Sequence, residues 1–174
     1  MAQQHADLFE TLILSQLDAA YTLARYLLRN EHDAQDVVQD AALRAFRSFH
    51  QLRDGDARAW FMAIVRNCCF TWQRRHRSDR KAVPFEDHIE KVVDDSPATD
   101  ALAIARSERE AIERALAHLP LEFREVIVLR EIEGMSYSQI AAVVGAPIGT
   151  VMSRLSRARR RLAMALGTDA QEAS

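Results

Sequence analysis

The sequence predicts an all-α protein: two small helical domains joined by a flexible acidic linker. Three observations carry this expectation. The 174 residues include only five Gly and four Pro, amid much Ala, Leu, Arg and Glu, which favours helix over sheet. Apolar residues recur at helical spacing over two long stretches. Between them, residues 82–100 lose that period, hold Pro84 and Pro97, and collect Glu86, Asp87, Glu90, Asp94, Asp95 and Asp100 against a single Lys91, the composition of a linker.

Over residues 8–28, Phe9, Leu12, Ile13, Leu17, Ala20, Leu23, Ala24 and Leu27 form one apolar stripe, and Asn30 closes the helix. A second helix is expected from Asp33, as N-cap, to Phe49. It would bury Val38, Ala41, Ala42, Ala45, Phe46 and Phe49, leaving Asp36, Gln39, Asp40, Arg44 and Arg47 on its other side. After the loop 50–56, with Gly55, a third helix over 57–75 would bury Phe61, Ile64, Val65, Cys68 and Trp72. Three helices with short connections read as a compact bundle.

The second set opens at 101–119 with Leu102, Ile104, Ala105, Ile112, Leu116 and Leu119 as its apolar positions. Pro120 suits the first position of the next helix, which stops at Gly134. Ser136 and Gln139 have the spacing of a capping box and start a short helix ending at Gly145. Pro147 begins a last helix reaching about Leu166. A short capped helix, a tight turn and a longer helix match the helix-turn-helix plan, whose second helix enters the major groove.

Composition excludes several classes. Adjacent Cys68 and Cys69 cannot build a disulfide framework and lack zinc-site spacing, which points to a reduced, cytoplasmic chain. The start MAQQHADLFE has no basic and then apolar signal pattern, and no apolar run is long enough to span a bilayer, so no membrane insertion is expected. The six histidines, at 5, 32, 50, 76, 88 and 118, are scattered, with no nucleophile-base constellation or metal-ligand pair. Neither an enzyme nor a cofactor is therefore expected. Net charge is only −2, but two basic runs flank the acidic stretch: Arg74, Arg75, Arg77, Arg80 and Lys81, then Arg154, Arg157, Arg159, Arg160 and Arg161.

On the last helix, Ile148, Val151, Leu155, Ala158 and Leu162 share one face at 100° per residue and should pack on Ile140, Val143 and Val144. The opposite face presents Gly149, Thr150, Ser153, Ser156, Arg157 and Arg160. Small polar groups let the backbone approach base edges, and Arg157 has the fork geometry for guanine. Arg154, Arg161 and Arg159 lie on the flanks and suit phosphates. A solvated Arg-rich terminal helix is the alternative, and the capped helix and turn favour DNA. Ala146 is a poor N-cap, leaving amides at the helix start for a phosphate. On the third helix Arg66, Phe70, Gln73, Arg74 and Arg77 share an outward face with Trp60 and Asn67 at its edge, a mixture suited to single-stranded nucleic acid. From this helix alone, however, core packing is the stronger expectation for Phe70 and Trp60. The carboxylates Asp36 and Asp40 stand apart from the basic runs, so any contact they make should be with protein.

These features converge on a resemblance to the group-four, extracytoplasmic-function sigma factors of bacterial RNA polymerase, covering nearly the whole chain. DAQDVVQDAALRAFRSF (33–49) is similar to the region-two helix that grips the polymerase clamp, which implies core RNA polymerase binding by Asp36, Gln39 and Asp40. AWFMAIVRNCCFTWQRRHR (59–77) resembles the segment that opens and reads the minus-ten element. The resemblance implies minus-ten and melting roles for Trp60, Arg66, Asn67, Phe70, Arg74 and Arg77, with the loop 51–56 receiving a flipped base. LPLEFREVIVLREIEGMSYSQIAAVVGAPIGTVMSRLSRARRRL (119–162) is close to the region-four signature. It implies minus-thirty-five contacts by Arg130, Thr150, Met152, Ser153, Arg154, Ser156, Arg157 and Arg160. The implied domains are 1–81 (region two), 82–100 (linker), 101–167 (region four) and a tail, 168–174, with no further domain. The implied partners are promoter DNA, core RNA polymerase and an anti-sigma factor, which could hold the protein at the membrane until it joins the nucleoid.

A linker of about 20 residues reaches roughly 65 Å at ~3.3 Å per residue, while ~17 base pairs between two such elements span ~58 Å. Both domains could thus engage DNA together, each reinforcing the other through the tether. The acidic linker would sit in a basic polymerase channel. Two other readings stay open: a decoy that sequesters an anti-sigma factor, and a helix-turn-helix regulator working without polymerase.

Overall fold

The computed structural model describes residues 2–52, 55–77 and 100–172, with side chains described over 6–52, 55–77 and 100–167. Residues 78–99, which hold the acidic linker up to its last residue, and Arg53 and Asp54 of the loop lie outside the described residues; Asp100, expected to end the linker, instead begins a helix. Every regular element described is helical.

The first lobe holds α1 (Ala2–Leu12), α2 (Leu17–Leu28), α3 (Glu31–Ser48) and α4 (Ala57–Arg75). The stripe expected as one helix over 8–28 is broken by a 3-10 turn, Leu14–Gln16. Thr11 and Ser15 donate side-chain hydrogen bonds to the carbonyls of Asp7 and Thr11, four residues back, a pattern that bends helices. The start of α3 also differs from expectation. Asn30, not Asp33, is the N-cap: its side chain accepts from the Asp33 amide at 2.9 Å. Arg29, in the left-handed region at φ 59°, turns the chain between the two helices.

Ile13, Leu23, Leu27, Phe61, Met62 and Val65 fill the core of this lobe. Phe46, expected inside, is 49% exposed. Phe49, one turn on, takes the inward place, with Phe9 edge-on at 5.3 Å and Trp60 at 6.4 Å, and Phe46 is left at the rim against Phe9.

The second lobe holds α5 (Asp100–His118), α6 (Leu121–Ile127, continued by a π turn, Val128–Ile132), α7 (Tyr137–Val144) and α8 (Ile148–Glu172). Leu102, Ile104 and Ile112, expected to be core positions, are exposed, and α5 buries only Ala115 and Leu116 near its C-terminus. Pro120 occupies the N-cap rather than the first helical position. The capping box is complete: Ser136 Oγ accepts from the Gln139 amide and Gln139 Oε1 accepts from the Ser136 amide. Gly145, at φ 67°, ends α7 in the left-handed conformation that glycine adopts without strain. Val151, Leu155 and Ala158 are buried, as are Ile140, Val143 and Val144. Ile148, expected on the same inward face, stands exposed at the first turn, and α8 runs to Glu172, beyond its expected end.

The two lobes pack on one another, α4 against α7 and α2 against α6. Arg124 sits in this seam. Its guanidinium donates to the carbonyls of Leu116, Ala117 and Leu119 at the end of α5 and to that of Tyr26 in the last turn of α2. Two helix C-termini, both electronegative, thus share one buried cation. Burial pulls its pKa down to about 10, so it stays charged at neutral pH.

Candidate nucleic-acid interface

The inward residues of α8 fix which side of the helix meets solvent. Opposite them Met152, Ser153, Ser156, Arg157 and Arg160 are exposed, and Thr150 is half-buried. Arg157 and Arg160 make no ion pair with any described residue, so both forks are free to reach a duplex. Ser153 donates to the Thr150 carbonyl, a local bond that a base edge could replace. The flanking arginines are occupied. Arg159 pairs with Glu131 at 2.6 Å, which raises its pKa. Arg161 lies over the Phe123 ring, and Arg130 donates to the Met135 carbonyl and covers the Tyr137 ring. Arg130 therefore presents a braced cation beside α7 rather than a loose surface chain.

Asn67 and Arg74 of α4 are exposed, as is Arg77 just beyond its end. Trp60 and Phe70 are partly buried against the core, in keeping with the packing preferred for them from this helix alone. Arg66 is drawn from solvent into the seam. Its Nε and Nη2 reach both oxygens of Glu125 at 2.6 and 3.1 Å, and its guanidinium lies 4.3 Å over Phe70. Arg154, expected at a phosphate, sits 3.8 Å from the same Glu125 and 3.9 Å from Glu122. These residues border an open cleft of about 360 Å³ between the lobes.

On α3, Asp36, Gln39 and Asp40 are all exposed. Leu43, 57% exposed, and Phe46 continue the same face, since positions 36, 39, 40, 43 and 46 follow helical spacing. This acidic and apolar surface carries more than the three polar residues picked out in the sequence. The 3–4 spacing of Leu43 after Gln39 and Asp40 was the available signal. Asp40 also pairs with Arg44 at 2.8 Å.

Beneath this face the two thiols are buried and free. Burial pushes both pKa values up, that of Cys69 to about 12. Among the described residues no group of acidic, histidine or cysteine side chains could hold a metal ion, and no helix is long and apolar enough to cross a membrane.

A helix-turn-helix with an exposed polar and basic reading face, attached to a second helical lobe with its own basic and aromatic helix, defines a DNA-binding transcription protein. The chain matches Sigma-70 region 2 over residues 12–79 and Sigma-70 region 4 over residues 109–162. It is 37% identical to the ECF RNA polymerase sigma factor SigM of Mycobacterium tuberculosis over 160 residues, 91% of this chain and 77% of that protein. It is 34% identical to the ECF RNA polymerase sigma factor SigE of Mycolicibacterium smegmatis over 88% of this chain, and spans 60% of that relative's length. The fold is similar to the sigma factor RpoE of Bartonella quintana, solved in complex with the anti-sigma factor NepR: TM-score 0.71, 31% identity, 92% of this chain and 98% of that one. The chain belongs to the extracytoplasmic-function sigma factors of RNA polymerase.

Proposed function

We propose that the chain mounts on core RNA polymerase and directs transcription initiation at a specific class of promoters, without catalytic chemistry or cofactor of its own. The observation that carries this reading is the pairing of two faces on one chain: the exposed Ser153, Ser156, Arg157 and Arg160 of α8, and the exposed Asp36, Gln39, Asp40, Leu43 and Phe46 of α3. A duplex-reading surface alone would serve a repressor. A second surface of carboxylates and exposed apolar groups is one that DNA repels and a protein would cover.

In this reading residues 1–81 bind core polymerase and the minus-ten element, 82–100 form the linker, and 101–167 read the minus-thirty-five element, followed by a tail at 168–174. Ser153, Ser156 and Arg157 face base edges, while Thr150, Arg154 and Arg130 hold the backbone. Met152 borders the groove. Trp60, Arg66, Asn67, Phe70, Arg74 and Arg77 handle the opened strand, where stacking offsets an unstacking cost of a few kcal/mol. An anti-sigma factor, the partner of the Bartonella quintana relative, would cover these surfaces until release. The protein would then work in the cytoplasm, at the nucleoid. Transcription in vitro with core polymerase on a fragmented genome, followed by sequencing of the start sites, tests the reading. A shared pair of upstream elements is expected, and no initiated transcript from any template would overturn it.

A further inference from the structure

Arg66 and Arg154 approach the same oxygen, Glu125 Oε1, at 3.1 and 3.8 Å. Their two guanidinium groups therefore lie within about 7 Å of each other, although they come from different lobes. Promoter elements ~17 base pairs apart are separated by ~58 Å. The folded-back chain thus cannot place both arginines on DNA at once, and the seam itself covers part of α4 with the first helix of the helix-turn-helix. Arg58 of α4 donates to the Glu133 carbonyl at 2.7 Å, and Gln139 Nε2 donates to Asp56 Oδ2 at 2.5 Å.

We propose that Glu125 is an intramolecular latch: its carboxylate takes the place of a DNA phosphate for Arg66 and Arg154 together, holding the two lobes in a closed state that withholds both arginines from the promoter. The latch rests on the reading that these arginines contact DNA. Glu125 is 1% exposed, and its described partners are those two arginines. A buried carboxylate is tolerable only while such partners stay. Opening removes Arg66, with its two short bonds, and leaves Arg154 at longer range. Opening also parts Arg124 from the Tyr26 carbonyl and Arg25 from Glu113, but neither of those pairs holds a group assigned to DNA, whereas Arg66 exchanges this carboxylate for another anion. The bidentate fork suits a carboxylate and a phosphate equally, so promoter DNA competes directly with Glu125 for the same group. The rim contacts, Arg58 with Glu133 and Gln139 with Asp56, register the lobes but engage neither of the two arginines.

Small-angle scattering of the full chain measures the closure. A compact chain of 174 residues has a radius of gyration of about 16 Å, and the wild type is expected near this value. Glu125→Gln and Arg66→Gln should each lower the closed-to-open ratio about tenfold or more, the scale of a charge-assisted hydrogen bond, and the double variant should open no further than either single one. Arg66→Gln leaves the Glu125–Arg154 pair in place, so it decides the matter if Glu125→Gln does not fold. Compaction unchanged in a folded Arg66→Gln variant would overturn the latch. For Glu125→Gln, affinity of the free chain for promoter duplex should rise by about the same factor as the opening. Expansion without that gain would overturn the withholding of Arg66 and Arg154. Failure of the DNA reading itself shows separately, as unchanged promoter binding by Arg154→Ala holoenzyme.

Discussion

Gln139 bridges the starts of two helices in different lobes: its Oε1 closes the capping box of α7 by accepting from the Ser136 amide, and its Nε2 donates to Oδ2 of Asp56, whose Oδ1 caps α4 through the Ala59 amide. Asp56 thus serves a helix and an interlobe contact with its two oxygens. These bonds hold its pKa below the usual 3.8, with Gln139 the largest cause. A depressed carboxylate contributes stability above its unfolded pKa and loses it as pH falls through the folded value. Asp56→Ala should cost about 1 kcal/mol at pH 7, the usual worth of an N-cap. Asp56→Asn keeps the cap and should recover most of it. Urea unfolding across pH checks the sign: the gap between wild type and Asp56→Ala should close in acid below pH 3.8, whereas a gap that widens there would contradict the assignment.

Arg157 and Arg154 should behave differently in promoter profiling although they lie within one turn of α8. The exposed Arg157 is placed for a base edge, so Arg157→Ala should cost ~1–3 kcal/mol at one base position and relax preference there. Arg154, anchored beside Glu122 and Glu125, is placed for the backbone, so Arg154→Ala should weaken all sequences alike and lower the salt slope by about one. Binding to a library of single-base promoter variants at several salt concentrations separates the two. Identical profiles would remove the assignment.

Leu43 gives the sharpest check on the polymerase face. It is 57% exposed, so Leu43→Glu should change melting by no more than about 0.5 kcal/mol. A charge placed in the centre of an apolar contact should nevertheless lower core polymerase affinity about tenfold or more. Pull-down of core enzyme by the variant, with thermal melting alongside, reads both quantities. Unchanged core binding would move the contact off α3.

Cys68 and Cys69 should be inert in the folded protein. Reaction with thiol reagents requires thiolate and access, and burial both hides the sulfurs and holds them protonated. At pH 8 an aromatic disulfide reagent should release almost no chromophore from the native chain and two equivalents after unfolding in guanidinium. Fast labelling of the native state would show that α3 and α4 separate readily.

What the sequence disclosed was whatever depends on near neighbours. The Ser136–Gln139 box, the Gly145 turn and the inward face of α8 are each set by near neighbours, and all three are present, with Ile148 alone of the expected inward residues left exposed at the first turn of α8. Distant chain segments decided the rest. Phe46 has a core-like spacing on α3 but loses the inward position to Phe49 because Phe9 and Trp60 converge there. Leu102 and Ile104 satisfy a helical period, yet no described element covers them. Arg66 reads as a surface cation on α4, and its partner Glu125 lies 59 residues away. Periodicity assigns a residue to a face of its own helix, and only tertiary packing supplies what that face meets.

Arg124 shows how much such a distant partner can matter. Its fork satisfies three carbonyls of the α5 terminus and, 98 residues away in sequence, the Tyr26 carbonyl. Arg124→Met fills similar volume but removes the guanidinium from all four carbonyls, of which that of Leu116 keeps the Leu119 amide as a donor. Buried acceptors left unpaired cost about 1–3 kcal/mol each, softened where water enters, so a loss of about 3 kcal/mol or more is expected. Arg124→Lys keeps the charge, but an ammonium has three donors on one atom and cannot span carbonyls at two helix ends. It should fall between the wild type and Arg124→Met, with the Tyr26 contact the first to go. Urea unfolding with α-helical signal as readout gives the ordering. Stability equal to wild type in Arg124→Met would mean that the α5 and α2 termini find other donors, and that this cation is not what joins them.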